Sequence, residues 1–560
     1  MKSKSTPIIG LVIVCIVVFA GFFITRNIGK STKEISRESA EAKLEKMVKE
    51  IAPLEGTPTK SAVEYTDSQN DGSELPEIDD ESLVVRPSTS LYAEIFSSPE
   101  KAGSGSDGWL TEMAEKFNRE GYEVNGQDVS IMLRNITSGL AMDYIRTGKY
   151  VPDGFTPSSI MWINMLNSYG VETDMIDERM VGNTAVLVFK NDTYKDFISK
   201  YGSMDLKSVV EATEAGDFIM GYTNPFTSST GLNFLISTLE RHDDTDPLSA
   251  TAEEGFKRFQ QNIPFVAMNT VQMRDAADKG TLDGFVLETQ LYNNEKSLSR
   301  SYTATPFGYR HDNPLVAISS ASDEKKEILR LFSQMCEEKE AQDKAAEYGF
   351  NTLDDYKNER QDPDGETLRE AQKLYKSVKD AGKEVIGVFV ADVSGSMDGT
   401  PLYNLQKSLI NSIQYISPSN YIGLVSYAND VVIEVPIGEF GLEQQALFKG
   451  GVEGLYANGG TATYDAVCVA VKMVEDALAE HPDAKPIVFV LSDGETNSGY
   501  SLSDIQSVVK TLKVPIYTIN YNDGDSDALK ALSGINEAAS INSDSDDVVY
   551  QLKNLLNASM

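Results

Sequence analysis

A chain of 560 residues is too long for one hydrophobic core and points to about three or four units. An apolar fraction of 41% beside 24% charged residues excludes a largely disordered chain, and three cysteines exclude a disulfide scaffold. Fifty basic residues against 85 acidic ones leave a net charge of −35, which repels nucleic-acid phosphates and anionic headgroups and attracts cations.

The first element is a near-continuous apolar run from Pro7 to Thr25, preceded by Lys2 and Lys4 and followed by Arg26 and Lys30. Some 18 apolar residues, roughly, just span a bilayer as a helix and are long for a signal peptide. A single-pass cell-membrane anchor over 1–30 is expected, with the bulk of the chain outside the cytoplasm; cleavage after Ala20 is the alternative. Residues 31–90 read as a stalk. Ser31 to Ala52 is a charged helix with a thin stripe of Ile35, Leu44, Met47, Val48 and Ile51, stopped by Pro53. Beyond it the chain is acidic and rich in Ser, Thr, Pro and Gly, the composition of a flexible linker.

From 91 to 355 short strands alternate with helices, which predicts an α/β unit with a largely parallel sheet. Hydroxyl and amide clusters stand at its strand-to-helix junctions: Ser97 and Ser98, Thr137 and Ser138, Ser158 and Ser159, then Asn224, Thr227 and Ser228. Helix-start N–H groups beside hydroxyls favour polar or anionic ligands, although each cluster is also an ordinary N-cap. The order Thr137-Ser138-Gly139-Leu140, Gly148, Asp153, Pro157-Ser158-Ser159 resembles the type 2 periplasmic solute-binding fold, particularly its oxyanion-carrying branch. That resemblance implies two lobes, a small polar solute between them, and crossing strands at 183–190 and 283–290. Trp109 and Trp162 sit in apolar helical patterns and are expected in the core.

A helical connector over 356–383 leads to a second α/β unit over 384–560. VIGVFVAD at 385–392 is an apolar strand that breaks into Asp392, Ser394 and Ser396. Asp493 follows another such strand, PIVFVLS, and Thr461 lies behind two glycines in a loop that opens a helix. Ligands of open parallel sheets gather at the C-terminal strand ends, and carboxylates with hydroxyls, without His or Cys, suit a hard divalent cation. The five residues resemble the metal-ion-dependent adhesion site of the von Willebrand factor A domain. The resemblance implies a Rossmann-like, doubly wound sheet binding magnesium first, with manganese or calcium as alternatives. It also implies direct contacts from Ser394, Ser396 and Thr461, largely water-mediated ones from Asp392 and Asp493, and a protein or cell-surface ligand whose carboxylate completes the shell. Asp465 reads as a first-turn helix charge, with a role behind the metal shell as the alternative.

No catalytic set emerges. Ser98 and Lys101 match Ser-x-x-Lys, but no Ser-Asp-Asn separates them from the Arg146-Thr147-Gly148 that faintly echoes a third motif. His242, His311 and His481 are remote from cysteine in the sequence. Asp523, Asp525 and Asp527 alternate like a calcium loop, yet Ala528 stands where that loop needs glycine. The expected function is therefore an anchored, extracytoplasmic binding or adhesion protein without enzymatic activity. The alternative is a transport-associated receptor for a small, oxyanion-like solute that uses the C-terminal unit for docking.

Overall fold

The computed structural model describes residues 35–63, 75–263, 265–267, 273, 282–379, 383–494, 496–521, 526–536, 538, 540–542, 552 and 556. The apolar run at 7–25, and Asp523 and Asp525 of the calcium-like triplet, lie outside them. Among the described residues no helix is long and apolar enough to cross a membrane.

The helix Arg37–Ile51 is capped by Ser36 and followed by strand β1 (Leu54–Glu55). The two-lobed unit comes next. Its first lobe holds β2 (Ser82–Val85), β3 (Leu91–Ser97), β4 (Glu123–Val124), β5 (Gln127–Asn135), β6 (Gly154–Thr156) and β7 (Thr173–Asp177). The second holds β8 (Thr184–Lys190), β9 (Met220–Thr223), β10 (Phe265–Ala267), β11 (Gly284–Glu288) and β12 (Tyr302–Arg310), after which β13 (Leu315–Ile318) returns to the first. The sheet orders are β2-β5-β3-β6-β13-β7 and β10-β9-β11-β8-β12. The two predicted crossing strands, β8 and β11, pair antiparallel within the second lobe. Trp109 and Trp162 are wholly buried, as expected. The connector is a strap: its helix Gly365–Val378 buries Leu368, Ala371 and Tyr375 against the helices Ile160–Ser168 of one lobe and Ser229–His242 of the other.

The C-terminal unit adds β14 (Val385–Asp392), β15 (Tyr421–Tyr427), β16 (Val431–Glu439), β17 (Lys485–Ser492), β18 (Ile516–Asn520) and β19 (Ser540–Asn542) in the order β1-β16-β15-β14-β17-β18-β19. Strands β15, β14, β17, β18 and β19 run parallel, and β16 is antiparallel to β15. All eight residues of central β14 are buried because helices cover both faces. Ile386, Val388 and Val390 enter one core while Val385, Phe389 and Ala391 enter the other, the period-two alternation of a strand.

The stalk reading fails for the described part of 31–90. Ala40, Leu44 and Met47, spaced so that they share one helix face, are buried against the helices Thr463–Glu480 and Leu502–Leu512. Lys43 Nζ donates to the Asp504 carbonyl at 2.7 Å, and Arg37 pairs with Glu475 at 2.5 Å. Strand β1 then pairs with β16 in the register Leu54↔Val432, and Ser61 N donates to Ala446 O at 3.0 Å. Residues 35–63 thus complete the C-terminal sheet, and the two-lobed unit is inserted between the two halves of its host. Further on, β2 pairs with β5, so the first lobe begins before residue 91.

Candidate metal centre and interlobe cleft

The end of β14 lies beside the ends of β15 and β17, with Asp392 opposite Tyr427 and Ala391 opposite Leu491. Asp392 is wholly buried. Its Oδ1 accepts from Ser394 N at 2.8 Å, and its Oδ2 accepts from Ser492 Oγ at 2.6 Å and Tyr427 OH at 3.2 Å. Three loops are stitched together around it by backbone and amide bonds. Gly395 N donates to Gly459 O at 3.1 Å, and Asn458 N donates to Val393 O at 2.8 Å. Thr461 N donates to Asn497 Oδ1 at 2.9 Å, and Asn497 N donates back to Thr461 O at 3.0 Å. Gly459 turns at φ +74°, in the left-handed region open to glycine, so the 458–462 loop can lie against the one after β14.

Ser394, Thr461 and Asp493 are nearly buried at this end, and exposed Ser396 reaches Ser394 Oγ at 3.0 Å. Burial holds the Asp392 carboxyl above its usual range, and the charge of Asp493 adds a smaller push in the same direction. Among the described residues no group of three or more His, Cys, Asp or Glu side chains could hold a metal, so a cation here depends on hydroxyls. The donor set fits a hard divalent ion: two neighbouring carboxylates and three hydroxyls, with neither nitrogen nor sulfur. Asp392, Ser394, Ser396, Thr461 and Asp493 would hold it, and the ion would supply a Lewis-acidic contact for an outside oxygen.

The sequence did not point to Ser492, Tyr427 and Asn497, which orient the site from neighbouring strands and loops. Asp465 anchors the third loop instead of only charging a helix start: its Oδ1 accepts from Tyr500 N at 2.7 Å. Asp527 begins the short helix Asp527–Ser533 behind its cap Ser526.

The clusters of the inserted unit divide. Ser159 and Ser228 cap helices, accepting from Met161 N at 3.3 Å and Gly231 N at 3.4 Å. Asn224 Oδ1 accepts from Phe226 N at 2.9 Å inside its own turn. Thr137 caps without a side-chain bond, and Ser138 is buried in the first turn behind it. The lobes touch where Gly139 N donates to Thr227 O at 3.4 Å; a Cβ on Gly139 would lie 2.1 Å from Phe226 O. Asp153, part of the family-like pattern, is structural: it pairs with Lys325 at 2.8 Å and accepts from Glu94 N at 2.9 Å.

Ser98 and Ser158 meet, but both donate to Glu100, and Lys101 Nζ donates to Ser98 Oγ at 2.6 Å and Thr156 O at 2.8 Å. Burial pulls the wholly buried Lys101 down to about 8, against the opposing pull of Glu100 and Glu288. Glu288 itself accepts from Asn183, Thr230 and His311 Nδ1, while Asn233 donates to His311 Nε2 at 3.1 Å. Sequence reasoning missed this ionisable cluster. Its one signal was Glu288 closing an otherwise apolar strand. Ser97, Asn135 and Thr156 are register neighbours at three adjacent strand ends, and their side-chain oxygens are buried without a hydrogen-bond partner.

Residues 388–557 match the model of the von Willebrand factor type A domain. Inter-alpha-trypsin inhibitor heavy chain H3 of Bos taurus is 28% identical over 147 residues, covering 24% of this chain and 16% of that protein. The chain therefore spans about a sixth of that relative's length. Among solved structures, the von Willebrand factor type A protein from Catenulispora acidiphila is 18% identical, covering 31% of this chain and 42% of that one at a TM-score of 0.28. A periplasmic thiamin binding protein is 13% identical, covering 52% of this chain and 99% of that one at a TM-score of 0.39.

Proposed function

We propose that this chain is a binding protein of the cell surface. Its C-terminal unit, of the von Willebrand factor A type, captures a protein or surface ligand through a divalent cation, magnesium first, held by Asp392, Ser394, Ser396, Thr461 and Asp493. The observation that carries the reading is the stitching of three loops, which brings these residues to one end of the sheet. A carboxylate from the partner completes the ion's shell, and no covalent chemistry is involved. The apolar run at 7–25 anchors the chain in the membrane with its bulk outside.

Thermal melting of the full chain in detergent, with magnesium or with chelator, tests the metal site. Wild-type protein gains melting temperature with magnesium, and Asp392→Ala and Asp493→Ala abolish the gain. An unchanged melting curve for the wild-type chain on adding magnesium refutes the site. Accessibility of the bulk to protease added outside intact cells tests the orientation.

A second reading is favoured by the partnerless oxygens of Ser97, Asn135 and Thr156: the inserted unit is a receptor for a small polar solute and the host a docking accessory. Glu100 already occupies the hydroxyls of Ser98 and Ser158, so an oxyanion bound there would face a carboxylate. The favoured solute is one that presents hydrogen-bond donors. Calorimetry with amines and sulfate separates the classes, and preferential sulfate binding would reverse the assignment.

A further inference from the structure

The segments next to the candidate metal loops bear two large aromatic side chains that are exposed among the described residues. Tyr403 is 63% exposed and Tyr456 is 71% exposed, among the largest apolar exposures of the described residues. Tyr403 lies in the first turns of the helix Thr400–Ser412, just after the Asp392–Ser396 loop, and its N donates to Gly399 O at 3.1 Å. Tyr456 precedes by two residues the Asn458 that donates to Val393. Gln406, one turn beyond Tyr403 on the same helix face, donates through Nε2 to Val452 O at 3.0 Å and Leu455 O at 3.1 Å. Each tyrosine therefore stands beside a metal loop, and Gln406 holds their two segments together. Exposed tyrosines offer large contact area at low entropic cost and are enriched where binding energy concentrates.

Among the described residues, Asp398 and Asp430 are exposed in the loops beside Ser396 and Tyr427, and Lys407 is exposed one turn beyond Tyr403. The whole chain carries a charge of −35. A polyanion such as an acidic polysaccharide would bring its own row of negative charge against this field, whereas a polypeptide can present one carboxylate among neutral and basic residues.

We propose that the partner of this site is a neutral-to-basic polypeptide segment whose single exposed carboxylate reaches the cation and whose flanking apolar side chain packs on Tyr403 and Tyr456. The proposal rests on the cation-binding reading and adds what selects the partner. A displayed library of dodecapeptides with one fixed central Asp is panned on the full chain in magnesium and eluted with chelator. The eluted peptides carry apolar residues beside the Asp and no net negative charge. The double substitution Tyr403→Ser, Tyr456→Ser weakens the best of them at least tenfold by calorimetry while leaving the magnesium-induced melting shift intact. Each single variant gives part of that loss. Equal peptide affinity in wild type and double variant overturns the proposal, as does chelator-sensitive binding of polygalacturonate tighter than that of any peptide. Loss of the magnesium melting shift in wild-type protein instead sinks the underlying cation reading, so the two failures are distinguishable.

Discussion

Leu44 is one of only three fully buried side chains on the helix Arg37–Ile51, yet the surface it fills belongs to helices more than 400 residues later in the chain. Leu44→Ala removes three side-chain carbons at 1% exposure and leaves a void between packed helices. Buried Leu→Ala changes cost about 2–5 kcal/mol, and a single interhelical layer that can partly collapse belongs near 3 kcal/mol. For a unit of this size each kcal/mol lowers the midpoint by about 2–4 °C, so the loss is about 6–12 °C. Trp109 and Trp162, the only tryptophans, both lie in the inserted unit. Tryptophan fluorescence therefore reports that unit alone, and hydrogen exchange of the β14 amides reports the host. Leu44→Ala should speed exchange across Val385–Asp392 while the fluorescence transition stays in place. Unaltered β14 protection, or a shift confined to the tryptophan signal, would refute the claim that this helix completes the host.

Burial and the nearby Arg258 hold His242 down to about 4, while the unfolded residue titrates near 6.5. The folded state binds this proton more weakly, so stability declines as pH falls from about 6.5 to about 4; His242→Gln should flatten that part of a pH-stability profile. Lys101→Met strips Glu100 of its buried partner and should cost about 3–5 kcal/mol in the fluorescence-detected unfolding of the inserted unit, since breaking a buried pair leaves one charge uncompensated. Gly450→Ala would put a Cβ 1.5 Å from Thr59 O, so the 57–61 segment must lift off. Faster proteolysis there, without loss of the magnesium response, is the expected outcome.

What the sequence reveals and hides follows from how local each feature is. The apolar run of β14 ending in Asp392, Ser394 and Ser396 is contiguous, and strand geometry alone brings its end beside that of β17, which Asp493 follows. Thr461 is visible because paired glycines mark a tight loop. The helix Arg37–Ile51 shows a thin stripe, but nothing local reveals that its partner lies beyond an inserted unit, so composition made it a stalk. Lys101, Glu288 and His311 are legible only as isolated polar residues, because contacts far apart in the sequence gather them. The hydroxyl clusters are locally visible but ambiguous, since a helix cap and a ligand-binding turn use the same residues. Ser159 and Ser228 both cap helices, and Ser228 also accepts from Thr223 Oγ1 at 3.0 Å.

The insertion also decides which parts of the molecule bear tension. The segment 35–63 enters the host through the helix Arg37–Ile51 and the β1–β16 edge, and the candidate metal loops sit at the ends of β14 and β17 in that same sheet. On the proposed function, a pull between the N-terminal side and a partner held at the metal loops would run through the sheet that links β1 to β14. The inserted lobes lie outside that sheet, although Val186, Val188, Phe285 and Leu287 of the second lobe share one buried hydrophobic cluster with Val385 and Phe389 of β14.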